Sequence, residues 1–140
     1  MDAARNAYRQ SRTFSMTRID MLITLYQRLL QSIDEMQDAL QASDDARVNS
    51  AQLNTSRYIL ALLDGIDPNQ GEVAVNVQRL CHFAFTQISE QTVDGLNAAR
   101  SVLQPLCDSF CAIRDEAAEL ELQGEIPPLD FESPTQQVEA

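Results

Sequence analysis

Apolar residues recur three and four positions apart through four successive segments, and the breaks between them are written in glycine, proline and aspartate. On a helix turning ~100° per residue this spacing gathers the apolar side chains into one stripe. In residues 17–41 the stripe is Leu22, Leu25, Tyr26, Leu29, Ile33, Met36 and Leu40. From Asp44 or Asp45 to Gly65 and just beyond it is Val48, Ala51, Thr55, Ile59, Leu62 and Ile66. Residues 72–91 carry Val73, Val77, Leu80, Cys81, Ala84 and Ile88, and residues 96–122 carry Leu96, Ala99, Leu103, Leu106, Cys107 and Phe110. Each stripe has to be buried against another element. The short connections force antiparallel neighbours, so the expected fold is all-α, an antiparallel up-down four-helix bundle. No segment sustains the period-two alternation of a strand.

Local signals sharpen the boundaries. Thr17-x-x-Asp20 resembles a capping box with Asp in the acidic position, and Asp44 or Asp45 suits the start of the second helix. Gly65 is placed to end that helix as a left-handed residue. Gly95 reads as a further break, with the fourth helix starting at Leu96. Pro105 lies inside that helix and predicts a kink or break between Val102 and Leu106, because proline removes one hydrogen bond and crowds the preceding turn.

The ends differ from the middle. Residues 1–16 form a polar lead-in, helical or extended, with Tyr8 and Phe14. Residues 123–140 contain Gly124, Pro127, Pro128 and Pro134 and read as a disordered acidic tail. The expected organisation is therefore a lead-in over 1–16, a bundle over 17–122 and a tail over 123–140. Charge follows the same division. The chain has a formal charge of −11 and no lysine, yet its first 114 residues hold 13 acids against 10 arginines, while residues 115–140 hold 8 acids and no base. Such a charge distribution disfavours nucleic acid and anionic membrane as partners. No apolar run approaches a membrane span, no secretory signal follows Met1, and three cysteines in a domain of this size suit a reducing cytoplasm.

Chemistry-bearing motifs are sparse. Phosphate-loop, dinucleotide and zinc-protease patterns are missing, and no cofactor is expected. Cys81, His82, Cys107 and Cys111 together deserve weighing as metal ligands, since Cys107 and Cys111 are one helical turn apart. Cys81 and Cys107 fall on the apolar stripes, however, where cysteine packs as a small hydrophobe. No metal site is therefore assigned. His82, the single histidine, invites comparison with histidine phosphotransfer bundles, but Phe83-Ala84-Phe85 follows it and supplies neither a cation nor glycine. The sequence does not read as an enzyme, and no catalytic residue is assigned.

Surplus hydrophobicity carries more information. With Ile59 at the centre of the second helix's buried face, Leu63, Leu60 and Leu53 all lie round one flank. On the third helix Val75, Phe83 and Phe85 also lie off the main stripe. These six residues form either a wide core face or a groove that accepts amphipathic helices from a partner. A structural bundle using them as a dimer seam is a further alternative, so the oligomeric state is monomer or homodimer.

The same residues resemble a particular family, FliS, the flagellar secretion chaperones. Ala7-Tyr8 is similar to the family's aromatic lead-in, and Thr17 to Tyr26 resembles its Ser-Pro-x-Glu-Leu-x-x-x-Leu-Tyr opening of helix one. Ile59-x-x-Leu62-x-x-x-Ile66-Asp67 resembles the end of helix two, and Gly71-Glu72-Val73-Ala74-Val75-Asn76 the start of helix three. Leu103-x-x-Leu106-x-x-x-Phe110 stands where the family often has Leu-x-x-Leu-x-x-x-Trp. The chain departs from the pattern at Arg28, Cys81, Phe83, Pro105 and Phe110. The resemblance implies a cytoplasmic chaperone that holds the C-terminal helices of flagellin, prevents premature polymerisation and keeps flagellin competent for type III secretion. It adds the flagellar export apparatus as a further partner. Leu53, Leu60, Leu63, Val75, Phe83 and Phe85 are the expected client groove, with Tyr8 and Phe14 as its removable N-terminal cap.

Overall fold

The computed structural model describes residues 17–124, and every regular element in that range is a helix. Helix α1 is Arg18–Gln41, α2 Asp45–Asp64, α3 Glu72–Ser89, α4 Val93–Ala112 and α5 Arg114–Leu122, with a 3-10 turn at Pro68–Gln70. Expectations for Tyr8, Phe14 and the tail beyond Gly124 lie outside the described residues. Two compact units are present, residues 22–112 and, among the described residues, 17–21 with 113–124.

The larger unit is the four-helix bundle. Its core draws Tyr26, Leu29, Ile33, Met36 and Ala39 from α1 and Val48, Ala51, Ile59 and Leu62 from α2. Helix α3 adds Cys81, Ala84 and Ile88, and α4 adds Leu96, Ala99, Leu103 and Cys107. Every stripe read from the sequence contributes, and Thr55 joins the α2 stripe by donating its hydroxyl to the Ala51 carbonyl at 2.7 Å. A buried hydroxyl satisfied within its own helix removes the usual penalty for a polar core residue. Tyr26 stacks on Phe110 with centroids 5.4 Å apart and approaches Cys81 Sγ at 3.9 Å through its hydroxyl.

The helix ends show which local signals the fold uses. Thr17 Oγ1 accepts from the Asp20 amide at 3.3 Å and donates to Asp20 Oδ2 at 3.0 Å, so the capping box forms with Asp in it. Helix α1 closes in a Schellman motif. Asp44 N–H reaches the Ala39 carbonyl and Ser43 N–H the Leu40 carbonyl, with Ser43 at φ 53°. Asp44 then caps α2 by accepting from the Arg47 amide at 3.2 Å.

Several expectations are corrected. Gly65 ends α2 in right-handed geometry, φ −83° and ψ −6°, so the left-handed stop assigned to it does not occur. The left-handed positions after helix ends fall instead on Ser43, Gln91 and Gly124. Gly95 is not a break but the third residue of α4. The segment expected as one helix over 96–122 is two, and its interruption is Ile113 rather than Pro105. Pro105 is exposed, and α4 is continuous through it. The Ser101 carbonyl left without an amide partner lies on the exposed side, where water satisfies it at little cost. Val73 and Leu80, assigned to the core stripe of α3, are exposed, Val73 by 77%. An apolar stripe gives a direction, whereas burial also requires a facing element at the same height. In α1, by contrast, Ile19 and Ile23 are buried, although the stripe had been started at Leu22.

The smaller unit is held by charge. Arg114 grips Asp20 with two hydrogen bonds, Nε to Oδ1 at 2.7 Å and a terminal nitrogen to Oδ2 at 2.9 Å, and also pairs with Asp115 at 2.9 Å. The Arg18 amide donates to both Glu121 carboxylate oxygens. The Arg114 guanidinium beside Asp20 holds its carboxyl below the usual carboxylate range. Bidentate arginine–carboxylate geometry is the strong form of such a pair.

Candidate functional site

Antiparallel helices meeting along a core stripe leave an outer groove between their flanks. Whether it stays open depends on side-chain size and backbone separation. Between α2 and α3 it stays open. A groove of about 600 Å³ is lined by Arg57, Leu60, Ala61, Leu63 and Asp64 of α2 and by Gln78 and His82 of α3. Leu60 is 51% exposed there, while Leu63 packs partly against the core. The groove therefore has Leu60, Ala61 and Leu63 on α2 between Arg57 and Asp64, and a polar side on α3 formed by Gln78 and His82.

The six residues singled out from the sequence do not all meet. Leu60 and Leu63 line the groove. Leu53, 54% exposed, lies seven residues before Leu60 and so ~20° from it, extending the same apolar face along α2. Val75 lies ~20° from His82 and Phe85 ~60° from it, on the groove side of α3. Both are half-buried, with Phe85 packed against the core. Phe83 stands apart. It is exposed and points ~160° away from Phe85, so it belongs with Leu80 and Val73 on the opposite flank of α3. Sequence reasoning missed the groove's polar members Arg57, Asp64 and Gln78. Arg57 and Asp64 each lie four residues, about one turn, beyond Leu53 and Leu60 on the same face, which is the available signal.

Cys81 and Cys107 behave as packing residues, while Cys111 is exposed. Burial pushes the Cys81 thiol up, and burial with Cys111 alongside pushes Cys107 up to about 11. Protonated thiols are poor nucleophiles and poor ligands. Burial, followed by the neighbouring Cys81, also raises the Tyr26 phenol. Among the described residues, no group of three or more His, Cys, Asp or Glu side chains is placed to hold a metal ion. No helix among them is long and apolar enough to cross a membrane.

Fold and groove together define a class, a helical bundle with an open groove between two helices, apolar on α2 and polar on α3. The family model described as flagellar protein FliS matches residues 1–117, and the chain belongs to the FliS family, a family of flagellar chaperones. Neither the curated proteins nor the solved structures compared with the chain give a match.

Proposed function

We propose that this chaperone binds the C-terminal helical segment of flagellin in the cytoplasm, blocking premature polymerisation and keeping the client competent for type III export. The observation that carries the reading is Leu60, a large apolar side chain left half in water within a groove, in a chain of this family. A free flagellin segment has to become ordered on binding, and a long apolar contact offsets that entropy. Leu60 and Leu63, which line the groove, supply the central contact, with Leu53, Val75 and Phe85 as flanking contacts and Phe83 on the far flank of α3.

Calorimetric titration of the full chain with a flagellin C-terminal peptide tests this directly. Binding with a negative heat-capacity change is expected, because apolar surface leaves water. Leu60→Asp is expected to weaken binding at least ~10-fold while leaving helicity and Tm close to the parent, since half of Leu60 is already solvated. An unchanged affinity in Leu60→Asp, or no binding by the parent chain, overturns the reading.

A further inference from the structure

The groove carries charges of opposite sign at its two ends. Arg57 and Asp64 both line it from α2, seven residues and therefore ~10 Å apart along the helix. Helix α2 ends at Asp64 and α3 begins at Glu72, so the Asp64 end lies next to the connection between them. On α3, Gln78 lies nearer that connection than His82, which places His82 at the Arg57 end. Among the described residues, neither charge forms an ion pair elsewhere. The ion pairs among the described residues are Arg100–Asp34, Arg114–Asp20 and Arg114–Asp115.

A bound helix has the matching asymmetry. Its N-terminal end carries a partial positive charge and its C-terminal end a partial negative charge, with unsatisfied N–H groups at the first and carbonyls at the second. Asp64 complements the first end. The Arg57 guanidinium and the His82 imidazole complement the second, and both can donate to free carbonyls. An apolar side formed by Leu60, Ala61 and Leu63 holds such a helix in either direction, so only the ends distinguish the two.

We infer that the α2–α3 groove accepts its client helix in one direction, with the client's C-terminal end at Arg57 and His82 and its N-terminal end at Asp64. This rests on the client-binding role proposed above. The docked helix then runs parallel to α3 and antiparallel to α2. The partner that fits best is an amphipathic helix whose apolar stripe ends in acidic residues or free carbonyls at its C-terminal turn. Direction matters for a chaperone because it determines which end of the client chain emerges beside the α2–α3 connection.

The test uses the isotopically labelled full chain and a peptide carrying one amphipathic helix of the flagellin C-terminal segment. The peptide bears a nitroxide at one end or the other. The C-terminal label is expected to broaden the amides of Arg57 and His82, and the N-terminal label those of Asp64 and Gly65. Arg57→Glu and Asp64→Lys are each expected to weaken binding ~2- to 5-fold, an effect that fades at 1 M salt. Reversed broadening, or both labels broadening both ends equally, overturns the inferred direction, as does undiminished affinity in both charge variants. If Leu60→Asp still abolishes binding in those cases, the groove reading stands and only the direction fails. If the peptide binds but neither label reaches the groove, the groove reading itself fails.

Discussion

The two seams flanking α3 are built from the same kind of helix and close very differently. On the α4 side the backbones are locked together. A methyl group at Gly95 would lie 2.5 Å from the Gln87 carbonyl oxygen, so only the absence of a side chain lets α4 start this close to the end of α3. Thr92 fixes the same corner by accepting from the Gly95 amide at 2.9 Å. On the α2 side the tie among the described residues is between side chains, the Gln91 amide reaching Gln52 and Asn49 of α2. The connection passes through Gly65, a 3-10 turn capped by Asp67 and Gly71, and a groove remains between the helices. The bundle thus leaves a groove on one flank of α3 and a close backbone contact on the other.

That contrast can be broken experimentally. The largest effect is expected at Gly95. Gly95→Ala forces a methyl against a backbone oxygen that has no rotamer to escape into, and should cost ~1–3 kcal/mol in denaturant unfolding. A neutral Gly95→Ala would show that the α3–α4 corner is not tight. Next comes Thr92→Ala, which removes the cap of α4 and should cost ~1 kcal/mol by the same measurement. At the open seam the sign reverses. Gly65 is right-handed and an added methyl meets only ordinary contacts, the nearest 3.6 Å from the Ala61 carbonyl oxygen. Gly65→Ala should therefore raise stability by ~0.4–1 kcal/mol through the unfolded chain. A loss there would mean that the connection needs freedom the described geometry does not show.

The smallest effect belongs to the charge clasp of the smaller unit. Because the folded state lowers the Asp20 carboxyl, its contribution is complete above the unfolded value of ~3.9 and is lost as pH falls through the lowered folded value. Arg114 stays charged throughout this range. Proton titration followed at the Asp20 side chain should therefore give a midpoint below that of a free aspartate. A midpoint at or above it would show that Arg114 is not engaged in solution.

Much of the fold is legible in the sequence. The α1 stripe at Tyr26, Leu29, Ile33 and Met36 is core, as are Val48, Ala51, Thr55, Ile59 and Leu62 of α2. Capping chemistry places the starts of α1 and α2 within a residue, because Thr17 and Asp44 each act on an amide only three positions away. The errors share a different origin. Gly65 and Gly95 were both read as punctuation, yet one is an ordinary helix end and the other a contact point with α3. A glycine's reason for being there is set by what lies opposite it. Val73 sits on the right stripe in the first turn of its helix, where periodicity carries no information about burial. Pro105 was expected to interrupt a helix that tolerates it on its exposed side.

The groove was half legible for the same reason. Leu53, Leu60 and Leu63 could be grouped from their angles on one helix, a property of the sequence alone. Joining them to Gln78 and His82, and separating Phe83 from Phe85, required knowing which flank of α3 faces α2. The sequence by itself determined the helices, their buried stripes, their caps and the family to which they belong, because each depends on neighbours within a few residues. Only the tertiary structure decided which seam closes and which stays open. That depends on how near two backbones come, and residues far apart in the chain set that distance together.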